Sequence, residues 1–247
     1  MKYLLFSSIG DNYDAFDSWY CKRKKRNYDI KLVYYGDDDN RYEKLKKYSD
    51  DIIINKGSKY QNLRDYYDYF DIIEYDYVWI PDDDIRLESK NIDNMFNLVS
   101  KKRIKISQPS MDPNGYNSWK INTNKYGIKK DIIIYTTFVE VTCPILSNNV
   151  VKKTVEILKM YRNLTAWGID YIWQNYFECK FGILYNVMVY NPHPYEKKNK
   201  RRECEKMGSR EERMNEWLKV KSELNLEEKK KYELYIENIK SGRKLVA

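Results

Sequence analysis

The sequence predicts an α/β fold with a mostly parallel central sheet and a helical C-terminal extension. Three observations support this. Short apolar runs alternate with helix-period segments through the first half of the chain. Most of these runs stop at turn or breaker residues, as in an open sheet whose helices cover both faces. From Glu196 onward the chain turns Lys/Glu-rich and glycine-poor, which marks a folded body over 1–195 and a tail over 196–247. The 247 residues suffice for a substantial core.

Lys2–Ser7 reads as the first strand, and Ile9-Gly10-Asp11-Asn12 as the turn that ends it. Tyr13, Phe16, Trp19 and Tyr20 follow at helical spacing. Ile30–Tyr35 is a second strand, stopped by Gly36 and Asp37-Asp38-Asp39; Ile52–Ile54 is a third. Leu63, Tyr66, Tyr67, Phe70 and Ile73 mark one face of a helix over 59–74. Tyr77–Ile80 is a fourth strand, ended by Pro81. Helices are expected over Asn91–Lys101, Asn148–Arg162 and Ile169–Cys179, and strands over Ile104–Gln108, Phe138–Leu146 and Ile183–Asn191. Residues 109–131 read as a long loop with a short strand near Trp119–Asn122, and the tail as two or three surface helices or a partly disordered segment.

The net charge of +8 is uneven: 196–247 contributes +5, and the rest of the chain only +3. A nearly balanced body argues against a nucleic-acid-binding face, which concentrates basic residues on the folded surface. Cys21, Cys143, Cys179 and Cys204 are widely spaced with no CxxC pair, so a structural zinc site is not expected and free thiols are. The N-terminal apolar run breaks at Ser7-Ser8, too early for a signal-peptide core, and no segment reads as a transmembrane span. A soluble cytoplasmic protein is expected.

Asp82-Asp83-Asp84 carries the chemistry. It follows Tyr77-Val78-Trp79-Ile80-Pro81, and ligands of open α/β sheets bind beyond the carboxyl ends of the strands. Carboxylates crowded there repel one another unless a cation compensates. Alternate acids, Asp82 and Asp84, can offer oxygens to a hard divalent ion that also binds diphosphate oxygens. Asp37–Asp39 has the same letters but leads into Asn40-Arg41, as an ordinary loop does.

With Tyr77–Asp84, three stretches resemble the type A glycosyltransferases over residues 1–195. Tyr77–Asp84 resembles their strand followed by Asp-x-Asp. Trp167-Gly168-Ile169-Asp170 resembles the Trp-Gly-x-Glu-Asp stretch of inverting members, with Ile169 where many carry Glu. His193 stands where a late histidine completes the metal shell. Ile106–Pro113, Phe138-Val139-Glu140 and Trp167–Asp170 also look like a plant and microbial glycosyltransferase-like family of unknown function. The overall pattern is similar to small glycosyltransferase domains of large algal DNA viruses.

The resemblance implies a GT-A-like catalytic domain that moves a sugar from a nucleotide-diphosphate donor, uridine-linked, to a hydroxyl on a glycan or glycoprotein, with inversion. Mn2+ or Mg2+ would be held by Asp84 and His193 with Asp82, while Asp82 or Asp83 contacts the ribose or the metal shell. Asp170 would take the acceptor proton, with Glu140 the alternative base. Glu140, flanked by Val139 and Val141, reads as a partly buried strand residue whose pKa is raised, or as an outward-facing one. Trp167 offers an apolar sugar platform. Ser8 and Gly10 end the first strand, where backbone N–H groups approach a nucleotide. Tyr35 and Asp37 fall near base and ribose. Arg64 could pair with the diphosphate, and Lys59 lies either there or on a solvated helix face. Two other functions fit part of the pattern: a metal-dependent nucleotidyltransferase or phosphohydrolase, and a non-enzymatic protein that binds anionic partners through the tail.

Overall fold

The structure, a computed structural model, describes residues 1–12, 15–20, 26–196, 206 and 208–246. Tyr13, Cys21 and Cys204 lie outside the described residues. The first half alternates strands and helices, with α2 an element not expected from the sequence: β1 (Tyr3–Ile9), α1 (Phe16–Trp19), β2 (Asp29–Tyr34), α2 (Asp39–Tyr48), β3 (Asp51–Ile54), α3 (Lys59–Asp65) and β4 (Tyr77–Trp79). Then come α4 (Ser89–Lys102), β5 (Ile106–Met111), β6 (Ile132–Thr136), β7 (Ile145–Ser147), α5 (Asn148–Met160), α6 (Ile169–Tyr176), β8 (Phe181–Val189), α7 (Arg210–Glu223), β9 (Glu233–Asn238) and β10 (Lys244–Val246).

Among the described residues, ten strands join one sheet in the order β10-β9-β6-β8-β5-β7-β4-β1-β2-β3. β4, β1, β2 and β3 run parallel, and so do β5 and β8. β7 is antiparallel to both β4 and β5, so it sits inverted between the two parallel blocks. β6 is antiparallel to β8 and β9, and β10 to β9. β1 is buried along its whole length because helices cover both faces. Its alternate side chains feed two cores: Tyr3 and Leu5 pack on one face with Trp19, Trp79 and Phe96, while Leu4 and Phe6 pack on the other with Tyr60, Phe70 and Trp173.

Several elements differ from the sequence-based expectation. The helix over 59–74 ends at Asp65; turns follow, Asp71 adopts a left-handed φ of 47°, and Ile73 is exposed. The Asp37–Asp39 run is a helix start as well as a loop end, since Asp38 accepts hydrogen bonds from the N–H groups of Asn40 and Arg41 and caps α2. The segment 119–122 forms a 3-10 turn at Lys120–Asn122, and the strand of that region is β6. Phe138–Leu146 is not one strand: only Ile145 and Leu146 enter β7, and Glu140 lies in the buried loop before it.

The tail differs most. It supplies α7 and also two strands, and β9 extends the same sheet through β6. Trp217 and Val220 of α7 are buried in the core. α7 and β9 therefore pack with the rest of the chain. Among the described residues both cysteines, Cys143 and Cys179, are unpaired, and no helix is long and apolar enough to cross a membrane.

Candidate active site

The carboxyl ends of β1, β2 and β4 open into a cavity of about 680 Å3. It is lined by Ser8, Tyr35, Lys59 and Asp82–Asp84, together with Glu140, Trp167, Gly168 and Asp170. A tight net holds the acidic turn. Ser7 Oγ donates to the Pro81 carbonyl at 2.9 Å, and the Asp82 N–H donates to Thr142 O at 2.8 Å.

Lys59 is placed at the first turn of α3 by a capping box between Ser58 and Gln61. Its ammonium donates to the carbonyls of Ile80, Val141 and Thr142 at 2.9, 2.9 and 3.1 Å, and pairs with Asp82 Oδ1 at 2.6 Å. Lys59 thus joins the end of β4 to the Glu140 loop, and it is not on a solvated helix face. Because Asp82 is half exposed, the three carbonyls carry most of the energy. Lys59→Met should lower stability by about 2 kcal/mol, read as a shift in the urea midpoint.

Asp83 turns inward: its Oδ2 accepts from the Gly10 N–H at 3.1 Å and from the Tyr35 hydroxyl at 2.5 Å. A Cβ on Gly10 would lie 2.3 Å from Tyr35 Cε2, so only glycine allows this approach. Burial, then the charge of Asp84, raises the Asp83 pKa against these two hydrogen bonds. Asp83 is therefore a fixed part of the wall, and Asp82 and Asp84 remain as the pair that lines the cavity with carboxylate.

Also lining the cavity, Gly168 caps α6 with φ +84° and Asp170 sits in the first helical turn. Asp170 Oδ1 accepts from the Tyr171 N–H at 3.0 Å. Burial pushes the Asp170 pKa up to about 7; the nearby charge of Glu140 adds to this, while the Tyr171 N–H and Lys231 oppose it. Burial also raises Glu140, against hydrogen bonds from Ser118, Thr142 and Asn122, and its loop is pinned by Gln108 Oε1, which accepts from the Glu140 N–H at 2.6 Å. Two buried acids with raised pKa values thus line one cleft.

Four of the residues singled out in the sequence are not among those that line this cavity; Gly10 is one, its N–H engaged by Asp83. Arg64 forks onto Asp65 at 2.7 and 2.8 Å and donates to the Arg162 carbonyl. Asp37 is exposed and pairs with Lys56 at 2.8 Å. His193 has Nε2 3.1 Å from the Asn114 carbonyl and its ring stacked on Tyr195. Among the described residues no three His, Cys, Asp or Glu side chains are grouped to hold a metal, so Asp82, Asp84 and His193 are not gathered as a ligand set.

Sequence reasoning missed several lining residues. Lys206, Arg210 and Arg213 form a basic rim, with the two guanidinium groups 5.9 and 5.3 Å from the Trp167 ring centroid. Lys231 does not line the cavity but supports two residues that do: it donates to the Tyr171 hydroxyl at 2.7 Å and lies 3.9 Å from the Trp119 ring centroid. The signal for the first group was present: Ser209-x-x-Glu212 is a capping box ahead of Trp217 and Val220, which marks a helix with a buried face.

The fold matches solved GT-A-type glycosyltransferases. S. aureus TarS residues 1–349 in complex with UDP-GlcNAc aligns over 93% of this chain and 68% of its own, with TM-score 0.56 and 12% identity. GalNAc-T7 with UDP, GalNAc and Mn2+ aligns over 90% of this chain and 47% of its own, with TM-score 0.55 and 12% identity. At such identity the likeness establishes the GT-A fold. No curated protein matches the sequence. A family model, described as a protein of unknown function, matches residues 1–238. The chain therefore belongs to the DUF707 family.

Proposed function

We propose that the protein is an inverting glycosyltransferase that moves a sugar from a nucleoside-diphosphate donor, uridine-linked, to a hydroxyl acceptor. The observation that carries this is the buried Asp170, with its pKa raised to about 7, lining one cavity with the acidic end of β4 on a GT-A fold. The acceptor hydroxyl attacks the anomeric carbon. Its proton passes to Asp170, a new C–O bond forms, and the old anomeric C–O bond breaks. The electron pair of that bond leaves with the nucleoside diphosphate. A base with a pKa near the working pH suits this step. Glu140, close enough to raise the Asp170 pKa, is the second acid of the site.

Asp82 and Asp84 suit Mg2+ or Mn2+, because such ions are commonly bound by one or two carboxylates plus substrate phosphates. A bound ion would supply positive charge for the departing diphosphate. His193 is not needed for that set, and it is engaged with Asn114. Ser8 and Tyr35, which line the cavity at the β1 and β2 ends, would contact the nucleotide.

Calorimetry with UDP tests the reading. UDP should bind in the presence of MnCl2, and Asp84→Asn should weaken binding at least tenfold. An absence of binding with Mn2+ and Mg2+ would sink the proposal, as would release of pyrophosphate or phosphate instead of nucleoside diphosphate from a nucleotide-sugar substrate.

A further inference from the structure

Lys231 places a positive charge among aromatic rings. Its ammonium lies 3.9 Å from the Trp119 ring centroid, 4.7 Å from that of Phe138 and 4.5 Å from that of Tyr171, and it donates to the Tyr171 hydroxyl at 2.7 Å. Among the described residues it has no carboxylate partner. Ring faces carry partial negative charge and hold a cation in a defined place, more firmly as water is excluded. The chain on either side of Lys231 is pinned. The Glu227 N–H and carbonyl both bond the Asn175 side chain, at 3.2 and 2.9 Å, and Lys229 donates to the Gln174 carbonyl at 3.0 Å. Thr137 Oγ1 donates to the Lys230 carbonyl at 3.0 Å, and the Tyr232 N–H lies 3.1 Å from the same oxygen. Lys231 is therefore delivered to its three rings by a segment tied to α6 and to the residue after β6.

Those rings belong to the site. Trp119 and Tyr171 line the cavity, and Trp119 packs edge-on against Phe138 at 5.5 Å. Tyr171 follows Asp170 in α6, and its N–H donates to Asp170 Oδ1 at 3.0 Å. We propose that Lys231 is a positioning residue for Asp170: the three rings and the Tyr171 hydroxyl fix its ammonium one residue along α6 from Asp170, where its charge favours the proton-accepting carboxylate. Glu140 and Lys231 act on Asp170 with opposite sign, since the carboxylate raises its pKa and the ammonium lowers it. The other charged or ionisable groups around Asp170 are Tyr60 of α3, the Lys59–Asp82 pair in the same cavity, and Arg210 and Arg213 of α7 against Trp167. A substitution at Lys231 leaves all of these in place. The role of Asp170 as base rests on the glycosyl-transfer reading, whereas its coupling to Lys231 does not.

The test needs no substrate. The full-length protein is labelled with carbon-13 at the aspartate carboxyls, and the Asp170 signal, assigned by its absence from Asp170→Asn, is followed by NMR as pH is raised. Lys231→Met keeps the chain length without the charge and should move the Asp170 midpoint upward by about half a pH unit or more. Lys231→Arg keeps the charge and should hold the midpoint near the wild-type value, which a purely structural role for Lys231 does not predict. Trp119→Leu opens the cage and should shift the midpoint in the same direction, so the question stays decidable if Lys231→Met fails to fold. An unchanged midpoint in Lys231→Met, or in Trp119→Leu where Lys231→Met does not fold, overturns the proposal. So does a midpoint in Lys231→Arg that moves as far as in Lys231→Met. UDP with MnCl2 is titrated against wild type in parallel: failure to bind removes the glycosyl-transfer reading, and the Asp170 midpoint still decides the role of Lys231.

Discussion

Replacing Asp170 with asparagine should lower the transfer rate by about 100- to 10,000-fold with little change in UDP affinity. Asparagine keeps the shape of the side chain but cannot take the acceptor proton. The pH dependence separates this from a general disturbance. In wild type the base works only when ionised, so kcat/KM should rise through pH ~7, the value to which burial and Glu140 lift Asp170 in the free protein. In the variant the residual rate should lack that rise. If Glu140 were the base instead, Asp170→Asn would leave the rise in place.

The same substitution makes an opposite prediction for stability. The ordinary carboxyl pKa is 3.8 and the folded value is about 7, so between those limits the folded chain keeps a proton that the unfolded chain has lost. Stability contributed at this position therefore falls as pH rises from about 4 to about 7, then stays level. Asp170→Asn removes this fall. Above pH 7 the variant should be more stable than wild type, by at most about 4 kcal/mol at about 1.4 kcal/mol per pKa unit. Urea unfolding of both proteins at pH 4.5 and pH 8 measures the difference. A variant less stable than wild type at pH 8 would show that the Asp170 charge is compensated in the fold.

The half of the fold built on buried strands was legible in the sequence because burial on both faces writes an unbroken apolar run, as in Tyr3–Ile9 and Phe181–Val189. α2 was not, because it buries only Arg41 and Leu45 and shows no apolar stripe. β9 was hidden too: its Leu234, Tyr235 and Ile236 are only half buried, inside a segment dominated by Lys and Glu. The site divides similarly. Asp82–Asp84 could be found from its local setting, an acidic run directly after a core strand. Asp170 and Glu140 could be named, but their shared burial depends on Trp217 and Gln108, which arrive from distant parts of the chain. The basic rim depends on the docking of α7, and local sequence holds only the cap and the Trp217–Val220 spacing.

That docking makes the glycine before Asp170's helix the most sensitive backbone position in the site. Gly168 has φ +84°, a region that L side chains enter at a cost of about 1 kcal/mol or more. An added Cβ would also lie 2.0 Å from Trp217 Cε3 and 2.2 Å from Cδ2, closer than atoms can pack. The indole is 4% exposed and stacked on Tyr171, so it cannot swing clear without leaving the core. Gly168→Ala should therefore lower stability by about 3–5 kcal/mol, combining left-handed strain with overpacking. Trp217→Ala should cost a similar amount by emptying the same contact. The double variant distinguishes docking from two unrelated defects: with the indole gone the alanine no longer clashes, so the combined loss should fall short of the sum by about 1–3 kcal/mol. Additive losses would mean that Gly168 and Trp217 act independently. Because the turn also aims Asp170, Gly168→Ala should lower kcat more than it weakens UDP binding, which depends on the β1, β2 and β4 ends across the cavity.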